Sequence, residues 1–288
     1  MRRSVIEIIE RHRSSGRVFH AGGIQSFALE KGEGAPVVCL HGVPTSSFVY
    51  RKLVPELSQN GLRGIAFDYP GMGFSDRPEQ FDYTWHGLAQ WTGEAIDTLG
   101  IDRCHLVVHD IGGPIGFEWA INHPDRVLSL TVLNSVVDAG VFRRPWSMHP
   151  FSIPVVGEAW LAGIQPPVSR WLFRHIGMED QSAISSAEID AYFTILKQDD
   201  GGRAFLRIMR GFELTTAKQK FYYEGLADRP YPAQVVWGEK DPGLAEPRRL
   251  AVQDALKIEA PILLPARHFL TEDQSPAIAS AVAKLAAR

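Results

Sequence analysis

Short, almost continuously apolar runs alternate with helix-like stretches along most of the chain, and this alternation constrains the fold more than any other feature. The runs fall at 17–20, 25–29, 37–40, 64–68, 105–109, 128–133, 234–237 and 261–264. A strand apolar on successive positions has both faces covered, and strands separated by helices pair mainly in parallel, so the pattern predicts a mostly parallel eight-stranded sheet with helices on both faces. The intervening helices are marked by caps and apolar spacing. Thr84 leads into Leu88, Trp91, Ala95, Ile96 and Leu99, with Gly100 as the stop. A chain of 288 residues, 45% of them hydrophobic, can bury one large α/β core that carries an insertion. The alternation fails between Val136 and Leu226, where Pro145, Pro150, Pro154, Pro166 and Pro167 interrupt an aromatic-rich stretch. That stretch reads as a helical cap inserted between the sixth and seventh strands, giving core 1–135, cap 136–226 and core 227–288. Aromatics beneath a cap form either a small core or the lining of an apolar pocket, and Trp146, Trp160, Trp171 and Tyr192 are the pocket candidates.

Charge and composition remove several functional classes. Lysine and arginine number 30 against 33 acidic residues, and no basic cluster is interleaved with aromatics, which argues against nucleic acid as a partner. Glu7 and Glu10 interrupt the first apolar run, and no continuous stretch is long enough to span a membrane, so a cytoplasmic protein is expected. Cys39 and Cys104 lie about four residues out of register on their strands, about 13 Å apart, too far for a disulfide. Neither a helical His-Glu-x-x-His nor a cysteine cluster suggests a metal, and no cofactor is expected.

The chemistry concentrates at predicted strand ends, where open α/β sheets bind ligands. Val108-His109-Asp110-Ile111-Gly112-Gly113 is a strand turning sharply into a helix, the place where hydrolases mount a nucleophile. Its centre is Asp110. Attack by a carboxylate on an acyl carbon gives a high-energy anhydride, whereas attack on a saturated carbon bearing a leaving group gives an ester that water can cleave. The alternative role for Asp110 is a simple helix N-cap. Asp241, in the loop after strand 234–237, can orient a histidine, with Glu239 as the runner-up acid. His268, in the loop after the last strand, has a pKa suited to a base near neutrality and precedes a helix expected to be capped by Thr271. Asp110, Asp241 and His268 thus follow one another in nucleophile, acid, histidine order. Gly42 permits a tight turn that aims the Val43 N–H at the same point as the Ile111 N–H, two donors for an oxyanion. His41 is expected to hold this loop. His109, turned to the other side of its strand, is expected to be structural, and the carboxylates of the Asp68 to Asp76 loop are expected to bind backbone N–H groups.

On these motifs the chain resembles the α/β-hydrolase superfamily, and within it the haloalkane dehalogenases and epoxide hydrolases. His41-Gly42-Val43-Pro44-Thr45-Ser46-Ser47 with Tyr50-Arg51 is similar to the dehalogenase oxyanion loop, and the segments at Asp68, Val107 and His268 fit the same group. The resemblance implies an Asp nucleophile, a small apolar organic substrate, water as co-substrate, and haloalkanes ahead of epoxides. It also implies a halide site made by tryptophan after the nucleophile and asparagine after the His-Gly pair, but Ile111 and Val43 stand there. Halide stabilisation then falls to backbone N–H groups or to a cap tryptophan. Epoxide opening would need cap tyrosines, for which Tyr192 is the candidate. A reading of a different class keeps the scaffold as a non-catalytic small-molecule binding protein.

Overall fold

The computed structural model describes residues 2–288. Eight strands form one sheet: β1 (Gly16–Ala21), β2 (Ile24–Lys31), β3 (Ala35–Leu40), β4 (Leu62–Phe67), β5 (Cys104–Asp110), β6 (Val127–Ser135), β7 (Ala233–Gly238) and β8 (Ile262–Leu264). Their order across the sheet is β1-β2-β4-β3-β5-β6-β7-β8. β1 and β2 form an antiparallel hairpin and β2 pairs antiparallel with β4, while every later pairing is parallel. This is the α/β-hydrolase fold, with the expected mostly parallel sheet. β3 connects onward to β4 on one side and its neighbour β5 to β6 on the other, so the connections leaving these two strands run toward opposite edges of the sheet and a crevice opens at their carboxyl ends.

The buried runs explain the layering. Along β3, Val38 and Leu40 join one hydrophobic core while Val37 and Cys39 join a second. Along β5, Leu106 and Val108 divide from Val107 in the same way. Alternate residues therefore feed cores on opposite faces, the geometry of a strand covered on both sides. The helix Trp85–Thr98 starts where its cap predicted, with the Thr84 side chain accepting from the Gly87 N–H. Cys39 and Cys104 are buried free thiols.

Between β6 and β7 the chain leaves the sheet in a succession of helices, among them Val156–Gly163, Pro166–Leu172, Ser186–Gly201 and Arg203–Arg210. The helix Thr216–Ala227 behaves differently from these. It packs against Gly112–Asn122 and Glu246–Leu256, helices of the core, so by its contacts it belongs to the core layer although the expected boundary at 226 puts it in the cap. Its sequence carries no marked apolar stripe to separate it from the cap helices, so only its packing partners distinguish it. The amino terminus holds a helix, Arg2–Ser14, that packs on Ser186–Gly201. Thr271 does not cap a helix. It sits inside a short helical turn, Leu270–Asp273, which a longer helix, Ser275–Ala286, follows. Among the described residues no helix is long and apolar enough to cross a membrane.

Candidate active site

Asp110 ends β5 with φ at 52°, in the left-handed region. Such a backbone costs a non-glycine residue about 1–3 kcal/mol, and aspartate tolerates it better than most. The Ser135 hydroxyl at the end of neighbouring β6 donates to the Asp110 carbonyl at 2.7 Å and helps to hold the turn. The helix that follows, Gly112–Asn122, begins without a side-chain cap, so Asp110 is not spent as an N-cap. Its carboxylate turns toward the β3 loop instead. Val43 N–H donates to Asp110 Oδ1 at 2.8 Å, and Ile111 N–H bonds the same carboxylate. Gly42 makes the approach possible, because a Cβ there would lie 2.2 Å from that of Asp110.

His41 fixes the loop from below. Its Nδ1–H donates to the Gly42 carbonyl at 2.9 Å, which leaves Nε2 to accept the Tyr69 N–H at 3.3 Å. Asp68 accepts from Ser47 N–H and Phe74 N–H, and Asp76 accepts from Gln25 N–H, as turn carboxylates do.

Asp241 is pinned by four donors. Gly243 and Leu244 N–H groups bind Oδ1 at 2.8 and 3.0 Å, while the Asn134 amide and His268 Nδ1 bind Oδ2, each at 2.8 Å. Burial raises the Asp241 pKa, but His268 and these hydrogen bonds outweigh it and bring it down to about 2. Glu239, by contrast, is exposed. Since an ionised carboxylate only accepts, His268 carries its proton on Nδ1, and Nε2 is left facing Asp110 Oδ2 at 3.7 Å. Burial opposes charge on His268, yet Asp241 and then Asp110 raise its pKa above the ordinary histidine value. Asp110 is shifted upward too, chiefly by burial, against the pull of His268 and the two backbone donors.

Two residues at this site escaped the sequence reading or were undervalued by it. Asn134, near the end of β6, bridges Asp241 and the Gly238 backbone. The available signal was an amide closing an otherwise apolar buried strand. His109 does point away from Asp110, but its Nε2–H donates to the His268 carbonyl at 2.9 Å and ties β5 to the His268 loop. Burial first, and then the neighbouring His268, lower its pKa to about 3, so it stays neutral.

Asp110, Asp241 and His268 border a cavity of about 140 Å³ whose other walls are almost wholly apolar, including Phe142, Phe151, Phe173, Phe193 and Phe269. The four expected cap residues do not line it. Trp146 and Trp171 are 65% and 53% exposed. Trp160 packs behind the wall, its indole N–H donating to the Ser147 carbonyl. Tyr192 is turned into the core, where its hydroxyl donates to Glu272. Aromatic content marked the cap correctly as apolar, but which ring faces the cavity depends on helix rotation and loop path, which composition does not encode. No group of three or more His, Cys, Asp or Glu side chains able to hold a metal occurs among the described residues.

This strand order and strained turn define an α/β hydrolase, and residues 35–165 match the model of the alpha/beta hydrolase fold family. A haloalkane dehalogenase from Mycobacterium marinum is 28% identical over 257 residues, covering 87% of this chain and 84% of the relative. An epoxide hydrolase from Vigna radiata shares the fold with a TM-score of 0.76 at 21% identity, over 93% of this chain and 96% of its own. A meta-cleavage product hydrolase from Pseudomonas fluorescens IP01 does so with a TM-score of 0.77 at 20% identity, over 94% and 97%. The chain is thus similar to α/β hydrolases, with haloalkane dehalogenases among its relatives and a fold shared with epoxide hydrolases.

Proposed function

We propose that the protein is a hydrolase that displaces a leaving group from a saturated carbon through an ester on Asp110. The observation that carries this reading is the occupancy of the two-donor turn. Val43 N–H holds Asp110 Oδ1 and Ile111 N–H bonds the same carboxylate, where an enzyme with a serine nucleophile would reserve such donors for the carbonyl oxygen of its substrate. Asp110 Oδ2 is the oxygen left to attack. The Oδ2–carbon bond forms as the bond to the leaving group breaks, and the group departs with the electron pair. His268 Nε2, oriented by Asp241, then takes a proton from water as the water adds to Asp110 Cγ. Negative charge develops on Oδ1, already held by the Val43 N–H. Collapse releases the alcohol with Oδ2 and restores the carboxylate.

Among leaving groups, halide is favoured over an epoxide oxygen. A halide leaves as a weak base and needs no proton, whereas an opening epoxide becomes an alkoxide that needs an acid. No tyrosine lines the cavity to supply one. The M. marinum relative supports the same order. The test is turnover of 1-bromobutane and 1,2-epoxybutane with halide and diol detection. Bromide release that Asp110→Ala abolishes is expected. Diol formation with no bromide release would overturn the halide assignment, and binding of both without turnover would favour a non-catalytic binding protein.

A further inference from the structure

One wall of the cavity carries a charge that the chemistry above does not use. Arg144 is the only lysine or arginine among the lining residues. Its Nη2–H donates to the Met209 carbonyl at 2.8 Å, and its guanidinium lies 4.6 Å from the centre of the Phe212 ring. Its Nε–H is buried with no acceptor, and among the described residues no carboxylate pairs with it. Arg51 meets Glu188 and Glu272, Arg77 meets Asp200, and Arg248 meets Asp138, whereas Arg174 and Arg229 share the unpaired Nε but do not line the cavity. Burial lowers the Arg144 pKa, with no acidic neighbour offsetting it. Arg144 makes no ion pair with Asp110, whose carboxylate is held by Val43, Ile111 and His268. A cation at an apolar wall with no counter-ion is stabilised when an anion arrives, and guanidinium geometry suits a carboxylate in particular.

We propose that Arg144 is the recognition residue for a carboxylate carried by the substrate. The substrate class is then a short aliphatic carboxylate with its leaving group on a saturated carbon, its apolar stem spanning the cavity between Arg144 and Asp110. This rests on the alkyl-ester reading for the reacting end. With a bromoalkanoate, the Asp110 oxygen bonds the carbon as bromide leaves with the electron pair, and water cleaves the ester to the hydroxyalkanoate plus a proton. Apolar cavities of about 150 Å³ hold a benzene-sized guest, so a chain of about five carbons is the right scale.

The test is calorimetric binding of pentanoate and its neutral isostere pentanamide to the wild-type protein, Arg144→Met and Arg144→Lys. Neither probe has a leaving group, so the result is independent of whether Asp110 is ever alkylated. Failure of this assignment and failure of the chemical reading are therefore separately visible. Wild type is expected to bind pentanoate about ten- to a hundredfold more tightly than pentanamide, the range of a charge-assisted hydrogen bond. Arg144→Met removes that preference while leaving pentanamide affinity within about twofold, and Arg144→Lys retains part of it. Equal affinity of wild type for the two probes, no detectable binding of pentanoate at millimolar concentration, or a folded Arg144→Met that keeps the preference would each overturn the assignment. The wild-type comparison decides even if a variant fails to fold.

Discussion

In the proposed mechanism, esterification of Asp110 removes a negative charge that helps to hold the proton on His268. In the free protein Asp241 and Asp110 both favour the imidazolium, against burial, and the net shift is upward. Once Asp110 is a neutral ester only Asp241 still does so, and His268 becomes easier to deprotonate at the moment it is needed as a base. The two steps therefore have different acid limits. Alkylation needs ionised Asp110 and fails below the pKa of that group, which burial raises above the ordinary aspartate value. Hydrolysis needs neutral His268, so it slows as pH falls through the pKa that the histidine has in the ester. Where Asp110 is ionised and His268 is protonated, rapid quenching and mass spectrometry should find an adduct on the Asp110 peptide that vanishes toward alkaline pH. His268→Ala should hold that adduct at every pH above the Asp110 limit, with hydrolysis slower by about two to four orders of magnitude. Absence of the adduct in a folded His268→Ala protein that binds substrate would place the histidine before the alkylation step.

At the scale of elements, the turn at Asp110 depends on how closely the helix Gly112–Asn122 approaches β3. A Cβ on Gly112 would lie 2.1 Å from the Leu40 carbonyl oxygen, a backbone atom that cannot swing aside. Gly112→Ala should thus push the helix from the strand and shift the Ile111 N–H with it. The expected cost is about 1–3 kcal/mol, read as a lower urea midpoint at unchanged slope, together with lost turnover. An unchanged midpoint would mean that the turn has more room than its geometry indicates. The Gly112-Gly113 pair was visible in the sequence for this reason: strand-to-helix contact demands small residues, and that demand is local. His268 and Asp241 were legible because each follows an apolar strand directly. Asn134 was not, since its role depends on β6 lying beside β7, a pairing between positions about a hundred residues apart. Arg144 was missed because nothing in its neighbourhood, Arg143-Arg144-Pro145, distinguishes a pocket cation from a surface one.

For the whole molecule, the question is what holds the inserted helices over the site. Arg51, just after the β3 loop, pairs with Glu188 at 2.8 Å and with Glu272. Glu272 is fully buried, and it also accepts from the Tyr192 hydroxyl and pairs with Lys52 at 2.9 Å. One cluster thus joins the loop after β3, the helix Ser186–Gly201 and the turn that follows His268. Tyr192 acts here as a strut at the edge of the insertion, which accounts for its absence from the cavity. Arg51→Met leaves Glu272 with Lys52 as its remaining cation, and should cost about 3 kcal/mol in chemical unfolding, the lower end for a broken buried pair. Tyr192→Phe should lower stability less and leave the distribution of leaving groups unchanged. Loss of epoxide opening alone in Tyr192→Phe would instead make its hydroxyl an acid in the reaction. The overall architecture was readable because eight apolar runs and their spacing point to a mostly parallel sheet, although they did not mark β1 and β2 as an antiparallel edge. The orientation of the insertion was not, because it rests on side-chain clusters such as this one between distant segments.

The most direct measurement of the central claim is a single turnover in ¹⁸O-labelled water with enzyme in excess over a bromoalkane substrate, followed by mass spectrometry of the Asp110 peptide and the alcohol. If water attacks Asp110 Cγ, the peptide gains one heavy oxygen and the first alcohol released carries none, because its oxygen was Oδ2. Label in the alcohol alone, with an unlabelled Asp110 peptide, would mean that water attacks the substrate directly and that no ester forms.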